Sequence, residues 1–581
     1  MTSKSGIAST LVLLALLALD MSFARFETAV LATLAMLIGA YWIGATAVER
    51  AGIVWRRPEF RSLVRVELPL ILACAGFAVA RGYVTFHEVF AIEGDPASRV
   101  EAGRLYDLLF GASVLAAELV LWRVHFITRV LAALGGRPPL LLAVTFSALI
   151  LVGTVALCLP WSVREVEDVS LLDSLFTMTS AVCVTGLVVN DVGSHYTAFG
   201  QVVILLGIQA GGIGIMTIGA AALALRADVA LRAQARYARV FETESLRDLR
   251  AIVRTVIGST LVIELIGALV LYFLWVERSE LEGRSAAWCA VFHAVSAFCN
   301  AGFALFPESL GRFTHDQGTQ AVVMALIVLG GIGFPVYLEL FRRARERIGA
   351  WRAGGRGVHH RLGVEARVVL SATAILIVLG AVLFAALEWN GAFRELSTVD
   401  SAFSALFASV TARTAGFSTV DLGTMRSTSW IVFMLLMWIG ASPSSTGGGI
   451  KVSAAAVLFA TLKGELRHHL PRLGLRTIGQ ETIRRASAVV LLSLVAFSLL
   501  TIGLTLTESL PPIELAFEAM SALTTTGLST GITGRISDAG RILLVLGMFL
   551  GRLGPITVAL AVGGARRGER FRLPEQELQV W

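Results

Sequence analysis

Long apolar runs alternate with polar loops along most of this chain. Six runs close to the length of a membrane-spanning helix, which needs about 20 residues, recur between residues 140 and 506. They lie at 140–160, 202–225, 257–276, 321–340, 368–387 and 491–506. This pattern predicts an all-α polytopic membrane protein with the lipid bilayer as its surroundings.

Four shorter apolar segments lie between these long runs. They read SLFTMTSAVCVTGL (174–187), AVFHAVSAFCNAGF (290–303), ALFASVTARTAGF (405–417) and AFEAMSALTTTGL (516–528). Each ends in a glycine followed by Leu or Phe, and these glycines recur at intervals of 116, 114 and 111 residues. In the first, second and fourth segments, a Phe stands ten residues before the glycine and a Ser stands six before it. The third segment is one residue tighter, with Phe407 and Thr411. The chain therefore contains a fourfold internal repeat.

Each repeat is predicted to consist of a spanning helix (M1), a re-entrant segment (P-loop) and a second spanning helix (M2). The four repeats are predicted to surround a pseudo-fourfold pore. The middle segment is too short to cross a bilayer, which is typical of a re-entrant helix. We assign the repeats to residues 131–240, 241–360, 361–480 and 481–581, the last including a C-terminal tail. Residues 1–130 are predicted to form an N-terminal transmembrane extension of about four helices, peripheral to the pore. A signal peptide at residues 4–24 is an open alternative for the start of that extension.

The glycine-containing segments are the candidate ion-binding site. Non-helical backbone at membrane depth is tolerated where it lines a wet cavity, and a ring of carbonyls can replace the hydration shell of K⁺. Glycine permits backbone angles that turn carbonyls inward. The predicted selectivity filter, the only metal site expected, consists of Val184, Thr185, Gly186, Asn300, Ala301, Gly302, Thr414, Ala415, Gly416, Thr525, Thr526 and Gly527.

The alternative explanation is that glycines only allow helices to pack closely. It accounts for Gly207, Gly211, Gly212 and Gly214, and for Gly330, Gly331 and Gly333. It does not explain why a short apolar segment precedes a glycine four times at one spacing. The pore interpretation is therefore favoured.

The positions of the charges predict the orientation of the chain. The net charge is +7, and basic residues cluster at 226–254, 342–367 and 463–485, whereas the loops between them are more acidic. This alternation follows the positive-inside rule and places the basic loops in the cytoplasm. The charge therefore indicates topology and gives no reason to expect a nucleic-acid partner. No cluster of polar side chains suggests an enzyme, and the five cysteines have no metal-binding spacing.

Several ordered strings resemble the Ktr/Trk/HKT family of K⁺ transporters, most closely its bacterial KtrB/TrkH-type membrane subunits. They are VTARTAGF (410–417), LIVLGGIGFPVYLEL (326–340), WIGASPSSTGGGIK (438–451) and MFLGRLGPITVAL (548–560), and the resemblance covers residues 127–581. It implies a multi-pass protein of the plasma (inner) membrane and a homodimer with one pore per subunit. It also implies a cytosolic nucleotide-binding regulatory subunit of the RCK/KTN type, similar to KtrA or TrkA. K⁺ is the expected transported ion, and Na⁺ permeation or Na⁺-coupled transport remains an alternative.

A glycine triplet interrupts the apolar run of the third repeat. Each glycine costs a helix about 1 kcal/mol relative to alanine, so the helix is expected to break there. The resemblance assigns residues 440–450 to an intramembrane gate loop below the filter, although Ser444 replaces a glycine that the family often has. The predicted gate residues are Ser444, Ser445, Thr446, Gly447, Gly448, Gly449, Lys451 and Arg552.

Arg552 is included because it lies inside the apolar run 542–562. An unpaired Arg at the bilayer centre costs about 3 kcal/mol or more, so such a side chain usually faces a bundle interior or a water path. The resemblance places it inside the pore, beneath the filter.

Overall fold

A computed structural model describes residues 138–554, apart from 166–168, 225–245, 279–280, 282, 353–361, 444 and 475. The predicted N-terminal extension (1–130), the C-terminal tail from residue 555 and Ser444 of the predicted gate lie outside the described residues. The remaining chain is almost entirely helical.

Helices follow one another in the same order four times. The first repeat contains α1 (Pro138–Leu157), α2 (Leu171–Cys183), α3 (Val192–His195) and α4 (Ala198–Ala224). The second contains α5 (Leu246–Trp275), α6 (Ala286–Phe298), α7 (Gln317–Ile332) and α8 (Phe334–Arg352). The third contains α9 (Val364–Glu388), α10 (Thr398–Thr411), α11 (Ser427–Trp438) and α12 (Val452–Leu466). The fourth contains α13 (Gln480–Thr507), α14 (Pro512–Thr524) and α15 (Asp538–Leu553).

Short irregular elements complete the described chain. Three single turns of 3₁₀ helix lie at Gly311–Phe313, Leu422–Thr424 and Thr533–Arg535, each between a short helix and the next long one. A two-residue hairpin, β1 (Arg472–Leu473) and β2 (Arg476–Thr477), joins α12 to α13, with Arg472 opposite Thr477.

The second member of each repeat, α2, α6, α10 or α14, has only 13 or 14 residues. A helix rises about 1.5 Å per residue, so these helices cover about 20 Å, which is less than the hydrocarbon thickness of a bilayer. They are buried over most of their length. We call them the re-entrant helices. The predicted fold class, an all-α polytopic membrane protein, is confirmed.

Local signals fix where the re-entrant helices begin. Ser170, Ser285 and Ser397 each precede a helix and accept a hydrogen bond from the backbone N–H three residues later, at 3.3, 3.5 and 3.1 Å. Serine is a favoured N-cap because its hydroxyl satisfies a donor that has no partner within the helix. The fourth helix begins instead at Pro512, whose fixed φ suits the first helical position.

Within the described part of the chain, three helices have the length and composition to cross a membrane: Val256–Trp275, Val364–Glu388 and Gln480–Thr507. Their apolar side chains are largely exposed; on α9, for example, Ile375 is 63% and Val378 62% exposed. Such a continuous apolar surface requires a nonpolar surrounding. These faces therefore contact lipid, in agreement with the hydrophobic pattern of the sequence.

In the second and third repeats, the helix after the re-entrant helix departs from the expectation of one straight span. Helix α7 stops at Ile332, and α8 continues at an angle of 100°. The bend lies at Gly333, which has a φ of 91° that other residues rarely adopt. Gly333 also packs closely, because a Cβ atom there would lie 2.6 Å from the carbonyl oxygen of Pro443. Helix α11 has only 12 residues, and an irregular segment follows it.

Other glycines of these helices do serve close packing, as that alternative held. A Cβ atom on Gly211 would collide with the carbonyl of Val182, and one on Gly330 would collide with that of Phe298. Gly551 has the same relation to Leu523. In each case the carbonyl belongs to the residue four positions before the repeat glycine. Small residues therefore bring three of these helices against the end of their own re-entrant helix.

Candidate ion-conducting site

The four repeat glycines meet around one axis. A Cβ atom built on any of them would lie within 3 Å of a carbonyl oxygen of the adjacent repeat. The contacts run in chain order and close on themselves: Gly186 with Ala301, Gly302 with Ala415, Gly416 with Thr526, and Gly527 with Thr185. The predicted filter residues of all four repeats are thus brought together in a ring, which we call the glycine ring.

All four glycines of the ring have a positive φ, between 70° and 98°. The residue two positions before each glycine also has a positive φ, although none of the four is glycine: Val184 (57°), Asn300 (57°), Thr414 (67°) and Thr525 (49°). This conformation costs an L-residue roughly 1–2 kcal/mol. Backbone strain repeated at one position in four repeats indicates a functional constraint on the direction of the carbonyls. Sequence reasoning selected these residues but not their conformation.

Backbone N–H groups of the ring form hydrogen bonds within their own repeat. Those of Thr185, Ala301 and Thr526 donate to the carbonyl five residues earlier, at 2.7, 2.8 and 2.9 Å, and that of Ala415 donates to Thr411 at 3.0 Å. The carbonyls of these four residues are the ones that contact the next glycine around the axis. The donors are therefore satisfied within each repeat, whereas carbonyl oxygens lie at the contacts between repeats, an arrangement that suits a cation.

The Ser or Thr that recurs before each glycine holds the ring to its helix. Ser180 and Ser521 accept hydrogen bonds from the N–H groups of Gly186 and Gly527, both at 3.0 Å. The equivalent hydroxyls of the other two repeats donate to the carbonyl after the glycine: Ser296 to Phe303 at 2.8 Å and Thr411 to Phe417 at 2.6 Å. This role explains the recurrent hydroxyl seen in the sequence.

Electrostatics at the glycine ring also favour a cation. Each re-entrant helix ends three to five residues before its glycine, at Cys183, Phe298, Thr411 and Thr524. The C-terminal end of a helix carries a partial negative charge, and here four such ends converge on one axis.

The predicted gate loop, residues 440–451, lies directly against one end of the glycine ring. Thr446 donates from Oγ1 to the carbonyl of Phe298 at 3.2 Å, and its N–H donates to the carbonyl of Gly330 at 3.4 Å. A Cβ atom on Gly447 or Gly448 would collide with the hydroxyl of Thr414 or Thr525, respectively. Two glycines are therefore required for the loop to approach this closely.

The ends of the gate loop are fixed by polar contacts. Ile439 and Ile450 form an isolated parallel bridge. Lys451 donates from Nζ to the carbonyl of Gly447 at 2.7 Å, and Ser445 donates from Oγ to the carbonyl of Ser442 at 2.6 Å. Gly449 has a φ of 70°. The two ends of the loop thus run side by side in the same direction between α11 and α12.

Arg552 contacts the gate loop, as its assignment to the gate requires. Its guanidinium donates from one NH2 group to the carbonyl of Thr446 and from the other to the carbonyl of Gly211 at 2.6 Å. The side chain is 5% exposed. Arg552 therefore links α15 and α4 to the loop beneath the ring.

A second buried arginine, Arg413, was quoted in the sequence strings but not recognised as a site residue. It is 7% exposed and donates to the carbonyl of Gly440 at 3.3 Å, so it fixes the start of the gate loop. The available signal was a charge within the apolar segment 405–417, the same signal that drew attention to Arg552.

The fold and this site define a polytopic membrane protein with four re-entrant segments around one axis. A family model described as TrkH, a cation transport protein, matches residues 141–564. The chain belongs to this TrkH family of cation transport proteins.

Curated relatives cover most of the chain. It is 36% identical to the Ktr system potassium uptake protein B of Vibrio alginolyticus, over 74% of this chain and 91% of the relative. The protein of the same description from Bacillus subtilis is 33% identical, over 76% and 96%. The potassium/sodium uptake protein NtpJ of Enterococcus hirae is 32% identical, over 76% and 97%.

A solved structure has the same fold. The potassium transporter TrkH from Vibrio parahaemolyticus superposes with a TM-score of 0.57, over 86% of this chain and 98% of that chain, at 17% sequence identity.

Proposed function

We propose that this chain is the pore-forming membrane subunit of a K⁺ uptake system. The observation that carries the proposal is the glycine ring, in which backbone oxygens from four repeats surround one axis. The names of the Vibrio and Bacillus relatives, both potassium uptake proteins, support K⁺ as the transported ion.

In this proposal the ring is the selectivity filter. A dehydrated cation binds between carbonyls contributed by the two residues before each glycine and by the glycine itself. All four ring positions are glycine, so no side chain obstructs the path or supplies a ligand of different size. The filter residues are those predicted from the sequence, at 184–186, 300–302, 414–416 and 525–527.

The loop at 440–451 is proposed to be the gate. It lies against one end of the ring, and Arg552 and Arg413 each donate a hydrogen bond to its backbone. Bonds of this kind contribute modestly to stability, so the loop can be displaced. Lys451 and the residues from Ser445 to Gly449 make up the moving part.

The assembly is proposed to be a homodimer in the plasma (inner) membrane, with one pore in each subunit. A cytosolic nucleotide-binding subunit of the RCK/KTN type, similar to KtrA or TrkA, controls the gate loop. The word "system" in the names of the Ktr relatives supports a complex of several components. Residues 1–130 are proposed to lie outside the conduction path.

A second candidate function is Na⁺ permeation or Na⁺-coupled K⁺ transport. It is favoured by the relative from Enterococcus hirae, which is named a potassium/sodium uptake protein.

Uptake by a cell that requires external K⁺ tests both candidates. The parent chain should restore K⁺ uptake without added Na⁺, and Gly302→Ser should reduce the preference for K⁺ over Na⁺ at equal abundance in the membrane. Failure of the inserted parent protein to transport K⁺ would refute the proposed function. A strict need for Na⁺ would favour the second candidate.

A further inference from the structure

One position on the re-entrant helices braces the chain beyond the glycine ring. It directly follows the recurrent buried Phe and is occupied by Thr177, His293, Ala408 and Glu518 in the four repeats. The first, second and fourth of these residues are completely buried, at 0% exposure. Each of the three contacts the segment that leads from its own glycine to the next long helix.

Three different side chains make this contact. Thr177 accepts a hydrogen bond from the hydroxyl of Tyr196 at 3.1 Å. His293 accepts from the N–H of Leu305 at 3.3 Å, while its other ring nitrogen lies 2.7 Å from the carbonyl of Cys289. Only the fourth repeat uses a carboxyl group.

Glu518 makes its contacts closest to the ring. Its Oε1 accepts a hydrogen bond from the hydroxyl of Ser529, two residues after Gly527, and lies 3.1 Å from the hydroxyl of Thr533. The hydroxyl of Ser529 in turn accepts from the N–H of Gly531 at 2.9 Å. A single carboxyl oxygen therefore fixes the whole segment from Gly527 to Thr533.

The other oxygen, Oε2, has no hydrogen-bond partner among the described residues. Burying an unsatisfied carboxyl oxygen is costly, and a neutral or apolar side chain would avoid the cost. Such groups persist where they hold a particular geometry.

The third repeat has a different solution. Ala408 cannot form a hydrogen bond through its side chain, and the segment after Gly416 is held by the second repeat instead. The N–H of Ser418 donates to the hydroxyl of Ser309 at 3.2 Å, and the hydroxyl of Thr314 donates to the carbonyl of Thr419 at 2.5 Å. The chain beyond each of the four glycines is therefore held by hydrogen bonds, and in the fourth repeat Glu518 provides them.

We propose that Glu518 determines cation specificity as a positioning residue: through Oε1 it holds residues 527–533 so that the fourth repeat keeps its carbonyls at the spacing that K⁺ requires. Glu518 does not itself contact the ion. This inference rests on the proposed function of the glycine ring as a filter.

The test compares K⁺ and Na⁺ fluxes into proteoliposomes containing equal amounts of the full-length protein. In Glu518→Ala, the hydroxyl of Ser529 loses its acceptor, while that of Thr533 can still donate to Ser529. The K⁺/Na⁺ permeability ratio should fall roughly three- to tenfold, the range expected for one lost hydrogen bond. Glu518→Gln keeps an oxygen at the Oε1 position and should retain most of the ratio. Ser529→Ala should lower the ratio as Glu518→Ala does, and the double variant should be no worse than either single variant, because both remove one interaction.

Glu388 provides a matched control. It is also a completely buried carboxyl group, but it accepts from the N–H groups of Arg426 and Ala392 at 2.9 and 3.1 Å, away from the ring. Glu388→Ala should reduce the amount of folded protein and leave the permeability ratio unchanged.

Two results separate failure of this inference from failure of the filter itself. If Gly527→Ser lowers the ratio while Glu518→Ala and Ser529→Ala leave it at the parent value, Glu518 has no role in specificity. The same conclusion follows if Glu518→Gln lowers the K⁺/Na⁺ permeability ratio as much as Glu518→Ala does, or if Glu388→Ala changes the ratio by the same amount. If Gly527→Ser also has no effect, the assignment of the filter is wrong.

Discussion

The glycine ring and the gate loop lie against each other but are built on opposite principles. The ring is repeated: four glycines, four preceding residues with positive φ and four recurrent hydroxyls occupy equivalent places. Among the described residues, the loop occurs only in the third repeat, where Arg413 and Arg552 hold it. Coordination of a cation needs equal ligands from all sides, whereas a gate needs one part that moves. The difference explains why only the ring shows the fourfold pattern.

The largest effect is expected where the ring leaves no space. Gly527→Ala would place a Cβ atom against the carbonyl of Thr185 and 2.8 Å from the Cα of Gly186, at a φ of 88°. K⁺ uptake should be abolished, or the K⁺/Na⁺ ratio should collapse, because both the backbone and the ring must distort. Uptake by cells and flux into proteoliposomes measure this.

The control is Gly258→Ala, since a Cβ atom there would have no neighbour within 4 Å. It should keep normal transport. Normal selectivity in Gly527→Ala would show that the ring is not in the conduction path.

The next largest effect is expected from deleting part of the gate loop. Deletion of residues 444–449 removes the glycines that contact the hydroxyls of Thr414 and Thr525. K⁺ flux should rise and should depend less on the cytosolic subunit, while the K⁺/Na⁺ ratio stays close to the parent value because the ring is intact. A correctly folded deletion variant with unaltered flux would mean that the loop is only a kink in the helix.

A smaller change is expected for Arg552→Gln. The guanidinium of Arg552 repels a passing K⁺. Two unit charges about 6 Å apart at an effective dielectric constant of about 20 interact by roughly 3 kcal/mol, and screening by water reduces this repulsion. Loss of the charge and of one bond to Thr446 should raise K⁺ flux severalfold or alter its voltage dependence, without a large change in selectivity.

Arg541→Gln is the matched control, because Arg541 lies at the other end of α15 and pairs with Asp173 at 2.6 Å. Flux through Arg541→Gln should stay at the parent level. Equal currents in Arg552→Gln and the parent, at the same surface abundance, would show that the charge of Arg552 has no part in gating.

The smallest effect is expected at a contact between repeats near the start of α10. Hydrogen bonds from His315 (3.0 Å), Gln317 (3.2 Å) and Ser397 (2.8 Å) hold the pKa of Asp400 below its ordinary value. A lowered folded-state pKa gives stability that is present above the ordinary pKa and is lost as the pH falls through the lowered one. The purified protein should therefore lose a small part of its stability, measured by thermal unfolding, only under strongly acidic conditions.

Asp400→Asn should remove that acidic increment and leave the K⁺/Na⁺ ratio unchanged. A loss of stability that begins near neutral pH and disappears in this variant would contradict the assignment to Asp400.

Much of the fold and of the candidate site could be predicted from the sequence because local patterns encode it. The length of an apolar run distinguishes a spanning helix from a re-entrant one, and the fourfold spacing identified the glycines at 186, 302, 416 and 527. The triplet at 447–449 predicted a break where α11 does give way to a loop. The assignments of Ser444 and of the first 130 residues lie outside the described chain and remain predictions.

Other features depend on contacts between residues that are far apart in the sequence. The bend at Gly333, the anchoring of the gate loop by Arg413, and the bracing of residues 527–533 by Glu518 each require a partner that no local pattern identifies. The positive φ of Val184, Asn300, Thr414 and Thr525 also depends on distant contacts, because L-residues adopt it only when their surroundings compensate for its cost. The sequence by itself determined which segments enter the membrane and where the chain can turn. Only the tertiary structure decided how four distant segments close into one ring, because that closure depends on packing between repeats.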